Sequence, residues 1–159
     1  MKITFVTRNL WGGGAEKVIS LLAKEMTNLN HNIEIITLQK ANPFYDIDRR
    51  VIINDDFSSI NSRIKKYKRI ARYLNNSNQD VIICMPEEIG VYLRLFYKGS
   101  SRFYTSERND PRIFPTSIFG RILRIPMYKK NTGLIFQTIG QQQYFPKKYK
   151  KKAPFWRIQ

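Results

Sequence analysis

Residues 2–17 read Lys-Ile-Thr-Phe-Val-Thr-Arg-Asn-Leu-Trp-Gly-Gly-Gly-Ala-Glu-Lys, and this stretch decides the fold. Its first six residues form a short strand rich in β-branched side chains. Gly12, Gly13 and Gly14 follow, and the chain then places Ala15, Val18, Ile19, Leu22, Met26 and Leu29 at helical spacing. That apolar stripe predicts an amphipathic helix over 15–29. Asn-rich residues 28–32 predict a turn, and residues 33–38 a second strand. Strand, helix and strand joined by short loops specify a parallel pair with a right-handed crossover.

The alternation continues outward. Residues 51–53 predict a brief strand at or near a sheet edge. Ser58 or Ser59 is expected to cap a helix with Ile60, Ile64, Tyr67, Ala71 and Leu74 on its buried face. Residues 81–84 are continuously apolar, as in a strand covered on both faces. A helix over 87–97, a strand over 102–105, a helix over 116–130, a strand over 133–136 and a short helix near 139–144 complete the series. Six strands alternating with helices predict a doubly wound, mostly parallel α/β sheet with helices on both faces.

Composition fits this reading. At 159 residues the chain suits one domain, and its 42% hydrophobic and 13% aromatic content supports a real core. No apolar run approaches the ~20 residues of a membrane span, and the apolar start is too short for a signal peptide. The single Cys84 lies in an apolar run and reads as a buried small residue. These features predict a cytoplasmic protein. The formal net charge of +16 favours polyanionic partners, either nucleic acid or an anionic membrane surface. A Lys- and Asn-rich coding bias explains the charge equally well.

The glycine loop carries the chemistry. Glycines permit positive φ and close approach of a ligand to the backbone. The helix start beyond them offers unpaired N–H groups and a positive dipole end, which together attract anions. No Ser, Thr, Asp or Asn occupies positions 12–14 to cap those groups. A ligand-free tight turn is the plainer alternative. Two phosphate-binding patterns fail here. The Walker pattern requires Gly-Lys-Ser/Thr, which is absent, and the dinucleotide fingerprint requires a glycine where Lys17 stands. The second strand ends Leu38-Gln39-Lys40, with no carboxylate for a ribose.

Residues 1–38, with their Gly-Gly-x-Glu-Lys helix start, resemble the opening of glycosyltransferase family 4. The stretch Thr105-Ser106-Glu107-Arg108-Asn109-Asp110-Pro111 resembles that family's Ser-Glu-Arg-Asn-Asp-Pro segment. Leu134-Ile135-Phe136-Gln137-Thr138 and Tyr144-Phe145-Pro146 resemble its last N-domain strand and the helix after it. The resemblance runs in order to about residue 151. It implies a Rossmann-like N-terminal domain over 1–151, one half of a GT-B architecture, with an irregular basic and aromatic tail at 152–159. In that family the N-terminal domain holds the acceptor, and the second domain binds most of the donor. No counterpart of the second domain occurs here, so the resemblance implies a truncated chain, or one partnered by a separately encoded C-terminal domain.

The resemblance also implies a retaining sugar transfer from a nucleotide sugar to a glycan or lipid-linked acceptor, in polysaccharide or glycolipid assembly. No cofactor or metal is expected, and the chain alone is expected to be inactive. Gly12, Gly13 and Gly14 are the expected donor-phosphate contacts; Glu16 and Lys17 belong to the family motif. Arg108, Asn109 and Glu107 are expected at the acceptor side of the cleft, where Arg108 suits bidentate recognition of phosphate or carboxylate. Catalytic residues are not assigned.

His31, the only histidine, sits in the turn before the second strand, at the end of the sheet away from the glycine loop, and is expected to be structural. Asn30 beside it suits a left-handed position. Asp46, Asp48, Asp55 and Asp56 read as solvated turn residues. Arg63, Lys65, Lys66, Lys68, Arg69 and Arg72 surround the stripe of one helix, and residues 147–152 add a second basic group. Such surfaces can hold an enzyme peripherally against the inner face of a membrane. No nucleic-acid-reading module is recognisable, so nucleic acid is not expected as a partner. A basic binding protein without catalysis, or a truncated gene product without function, are the competing readings.

Overall fold

The computed structural model describes residues 1–146, so the basic group at 147–152 and the expected 152–159 tail lie outside the described residues. The elements run β1 (Lys2–Thr7), α1 (Gly14–Asn28), β2 (Asn32–Thr37), β3 (Ile52–Asn54), α2 (Arg63–Asn76), β4 (Val81–Cys84), α3 (Glu87–Phe96), β5 (Arg102–Glu107), α4 (Ile118–Lys129), β6 (Gly133–Phe136) and α5 (Ile139–Tyr144). All six strands are parallel, in the order β3-β2-β1-β4-β5-β6. The expected α/β sheet is therefore observed, with the short β3 at its edge. The chain order reverses between β1 and β4, which makes that gap the topological switch point.

Alternation along each strand assigns the two faces. Ile3 and Phe5 of β1, Ile33 and Ile35 of β2, and Val81 and Ile83 of β4 pack with Ile19 and Ala23 of α1. Val6, Ile36, Ile82 and Cys84 face the other way, onto Tyr67, Ile70 and Leu74 of α2 and Ile89 and Leu93 of α3. A third cluster joins Val91 of α3 to Met127 and Tyr128 of α4, with Leu134 and Phe136 of β6. Both faces of the central strands are thus covered, and β4 reads Val-Ile-Ile-Cys with no polar residue. Each fully buried aliphatic side chain in these layers contributes about 1.5–3 kcal/mol.

Three details differ from the sequence reading. Ser62, not Ser58 or Ser59, caps α2 by accepting from Lys65 N. Phe57 is buried in the core, and turn hydrogen bonds from Ser58 N to Asp55 O and from Ile60 N to Phe57 O fold the chain before the helix begins. The later start rotates the buried face to Tyr67, Ile70, Ala71 and Leu74, and Ile64 is exposed. Leu29 is likewise exposed as the C-cap of α1. Finally, β5 extends two residues further than expected. Ser106 and Glu107 continue its pairing with Ile135 and Phe136 of β6.

Candidate functional site

A cleft of about 580 Å³ opens at the C-terminal ends of β1, β4, β5 and β6. Its walls come from the residues just after each strand: Arg8, Pro86-Glu87-Glu88, Arg108-Asn109 and Gln137, with Gly14, Ala15 and Glu16 of α1. Open α/β sheets bind ligands at this end.

The glycine loop is anchored before it turns. Leu10 N donates to Ala41 O and Phe44 N to Leu10 O, while the Trp11 indole donates to Lys40 O at 2.9 Å. The chain then reverses through Gly12 at φ 114°. That conformation favours glycine, and a Cβ there would sit 3.1 Å from the exposed Phe44 ring, which would have to shift. Gly13 is the N-cap of α1 and provides no side-chain cap. Gly14, the first helical residue, faces open space. The first-turn N–H groups of α1 therefore have no side-chain acceptor and border the cleft. The acid nearest this helix start is Glu16, whose Oε2 lies 2.5 Å from where a Gly13 Cβ would stand.

The opposite wall is a hydrogen-bonded frame around Arg108. Glu87, the first residue of α3, is buried and accepts from Asn109 Nδ2 at 2.9 Å and from Arg108 N at 3.3 Å. Gln141 of α5 donates to Asn109 O at 3.1 Å, and its own oxygen accepts from Gln137 N at 2.8 Å. Thr138 and Gln141 form a capping box that fixes this short helix. The backbone of 108–109 is thus held from two elements. The Arg108 guanidinium itself is half-buried and makes no hydrogen bond or ion pair among the described residues. Burial lowers its pKa, and the carboxylates of Glu16 and Glu87 oppose that effect. A partly desolvated cation facing a cleft is a ready anion receptor.

Gly14, Glu16, Arg108 and Asn109 are thus brought together at one cleft. Gly12 and Gly13 shape the turn that delivers Gly14, and Lys17 is exposed in α1 outside the lining. Glu107 corrects the expectation of a cleft-facing acid. It is the last residue of β5, fully buried, and its carboxyl receives the Tyr128 hydroxyl while Oε2 has no partner among the described residues. Burial pushes its pKa up to about 8. Glu87 lines the cleft beside Glu16 and Glu88, and sequence reasoning missed it. The signal for it was available, because Pro86-Glu87-Glu88 directly follows a central parallel strand at the switch point. Arg8 and Glu88, joined at 3.0 Å, were missed for the same reason.

A slightly larger hollow, about 640 Å³, lies at the opposite end of the sheet beside His31, Arg50 and Glu34. Its acid, Glu34, is already satisfied. Glu34 accepts from Tyr73 at 2.7 Å and also from Thr4, Asn54 and Gln79. His31 lies 3.4 Å from the N-terminal amine, beside Asn30 at φ 60°, as expected for a structural turn. The cleft at the C-terminal ends of the strands, with a guanidinium unpaired among the described residues and an uncapped helix, is therefore the candidate site. The loop acids are bound locally: Asp48 by Arg50, whose hydrogen bonds hold it at about 2, and Asp55 by Lys40 and Ala41 N. Among the described residues no group of three His, Cys, Asp or Glu side chains could hold a metal ion.

No protein-family model matches the chain. Over 71 residues, 45% of this chain, it is 30% identical to the amylovoran biosynthesis glycosyltransferase AmsD of Erwinia amylovora. Over 91 residues, 52% of the chain, it is 30% identical to an alpha-1,4-N-acetyl-D-galactosaminyltransferase of Campylobacter jejuni. The name of that relative specifies a GalNAc-bearing diNAcBac-PP-undecaprenol. The matches span 20% and 25% of these relatives' own lengths. The chain is thus similar to part of known glycosyltransferases.

Proposed function

We propose that this chain is the acceptor-side, N-terminal domain of a retaining glycosyltransferase of family 4, with a GT-B partner domain supplying most of the donor site. The observation that carries the reading is the pairing, across one cleft, of an uncapped α1 N-terminus with the half-buried Arg108 guanidinium, which has no partner among the described residues. In this reading the N–H groups at Gly14 and Ala15 meet the donor's phosphates, and Arg108 neutralises charge on the phosphates or on a lipid-linked acceptor. Glu87, Asn109 and Gln141 are positioning residues that fix the Arg108 backbone. Glu16 shares the helix start with the incoming anion, so it gives up part of that space when phosphate binds. The similarity to two glycosyltransferases, one named for an undecaprenol-linked substrate, supports a nucleotide-sugar donor and a glycan or lipid-linked acceptor.

The test is a backbone amide titration of the chain with UDP. Shifts concentrated at residues 13–16 and 108–109 are expected. Shifts concentrated around His31 and Arg50, at the other end of the sheet, would overturn the site. In this reading the isolated chain transfers no sugar, and measurable transfer from a nucleotide sugar by the purified polypeptide would contradict the division of labour.

A further inference from the structure

The surface of α4 departs from what a solvated helix requires. Ile118 is 78% exposed, Phe119 60% and Ile122 67%, and Ile113 in the preceding loop is 55% exposed. Four large apolar side chains within ten residues stand in water, whereas scattered single ones would need no explanation. Aromatic stacking through α3 links this face to the buried Tyr67 of α2. Phe119 stacks on Tyr92 of α3, Tyr92 stacks on Tyr67 of α2, and Ile64 of α2 is 61% exposed nearby in sequence.

Charge identifies what this face suits. Helix α2 carries six basic residues and no acid, and residues 111–130 carry five basic residues and no acid. Some of these cations are committed. Arg63 is paired with Glu88, Arg124 is buried under the 111–114 loop, and Arg112 is paired with Asp110. Lys65, Arg69 and Arg72 are exposed and make no side-chain hydrogen bond or ion pair among the described residues; Lys68 is also exposed, with its ammonium over the Phe96 ring, 5.6 Å from the centroid. Exposed isoleucine and phenylalanine bordered by lysine and arginine, with acids excluded from both helices, match the chemistry of an anionic lipid surface. The apolar side chains reach the acyl boundary while the cations meet headgroup phosphates.

We propose that α4 with its preceding loop, flanked by the cationic face of α2, docks the protein on an anionic lipid bilayer. The inference does not require the sugar-transfer reading. The two meet at Phe114 and Pro115, which line the cleft and lead into the apolar patch, so docking would set the cleft mouth near the lipid surface.

The test is flotation of the full chain with phosphatidylcholine vesicles, with and without phosphatidylglycerol. It is run beside the Ile118→Asp/Ile122→Asp variant, whose fold is checked by circular dichroism. Binding only to the anionic vesicles is expected, weakened at least about tenfold in the variant because two apolar side chains leave the acyl boundary. An environment-sensitive label on Ile122→Cys should brighten on binding, while one on Leu29→Cys should not. Cys84 is fully buried and will not compete for the label. Absence of binding to anionic vesicles would overturn the proposal. So would binding that the variant retains, which is adsorption by net charge alone. A concentration-dependent dimer abolished by the same variant, without vesicle binding, would assign the face to a second copy of the chain instead.

Discussion

Glu107 should make the fold lose stability as pH rises through neutrality. Its carboxyl is fully buried, one oxygen receives the Tyr128 hydroxyl, and the other has no partner among the described residues. Burial raises its pKa from 4.5 to about 8, with the Tyr128 hydrogen bond and Arg124 opposing the rise only partly. Below pH 4.5 both folded and unfolded chains hold the proton, so the residue adds no pH dependence there. Between the two values the folded chain keeps a proton that the unfolded chain has released, and stability falls by about 1.4 kcal/mol per pH unit. Across the whole window the loss is about 4–5 kcal/mol, and above pH 8 it stops growing. For a domain of this size each kcal/mol is about 2–4 °C in Tm. Urea unfolding followed by circular dichroism at pH 5, 6.5 and 8.5 reads this directly, with Glu107→Gln as the comparison. The amide retains an acceptor for Tyr128 but cannot ionise. Its own fixed cost for unpaired N–H groups, about 1–3 kcal/mol, is the same at every pH. The expected outcome is a wild-type stability that falls relative to the variant between pH 5 and 8.5. Parallel pH profiles would refute the reasoning, because the carboxyl would then be either solvated or ionised in the fold.

Glu87→Ala leaves the Asn109 amide and the Arg108 N–H without their buried acceptor, at about 1–3 kcal/mol each. A lower Tm and broadened amide signals at 108–109 are expected; an unchanged Tm would show that the frame is not closed by Glu87. Gly90→Ala places a methyl group 2.6 Å from Thr105 Cγ2 and 2.9 Å from its Cβ, in a site with Thr105 held by Asn131. Overpacking there should cost about 1–3 kcal/mol in chemical denaturation, and Thr105→Ala should recover part of it.

Much of this architecture is legible in the sequence because both faces of the central strands are buried. The runs at Lys2–Thr7 and Val81–Cys84 are read without ambiguity, and the glycine loop marks the start of α1. Local signals failed where several residues could do the same work. Ser58, Ser59 and Ser62 are all competent caps, and the burial of Phe57, a tertiary fact, selects the last. Ser106 and Glu107 are polar and read as loop, yet pairing with β6 carries them into the sheet and burial neutralises the acid. For the site, the motif residues Gly14, Glu16, Arg108 and Asn109 line one cleft. The position of Glu87 after β4 could have placed it at the cleft, but its pairing with 108–109 could not be read, because those partners lie 21 and 22 residues away and only the strand order places α3 beside the end of β5. The exposed face of α4 was hidden in the same way. Its isoleucines repeat at helical spacing, and nothing local tells whether such a stripe faces the core.

The central claim is that the cleft between the glycine loop and Arg108 receives phosphate. Calorimetric titration of the chain with UDP, in parallel with Arg108→Gln and with Arg72→Gln as an exposed control on α2, tests it directly. A charge-assisted hydrogen bond to phosphate contributes about 1.5–3 kcal/mol, so Arg108→Gln should weaken the Kd by about tenfold or more, while Arg72→Gln leaves it unchanged. Equal affinity for the wild type and Arg108→Gln, or equal loss in both variants, would contradict the account.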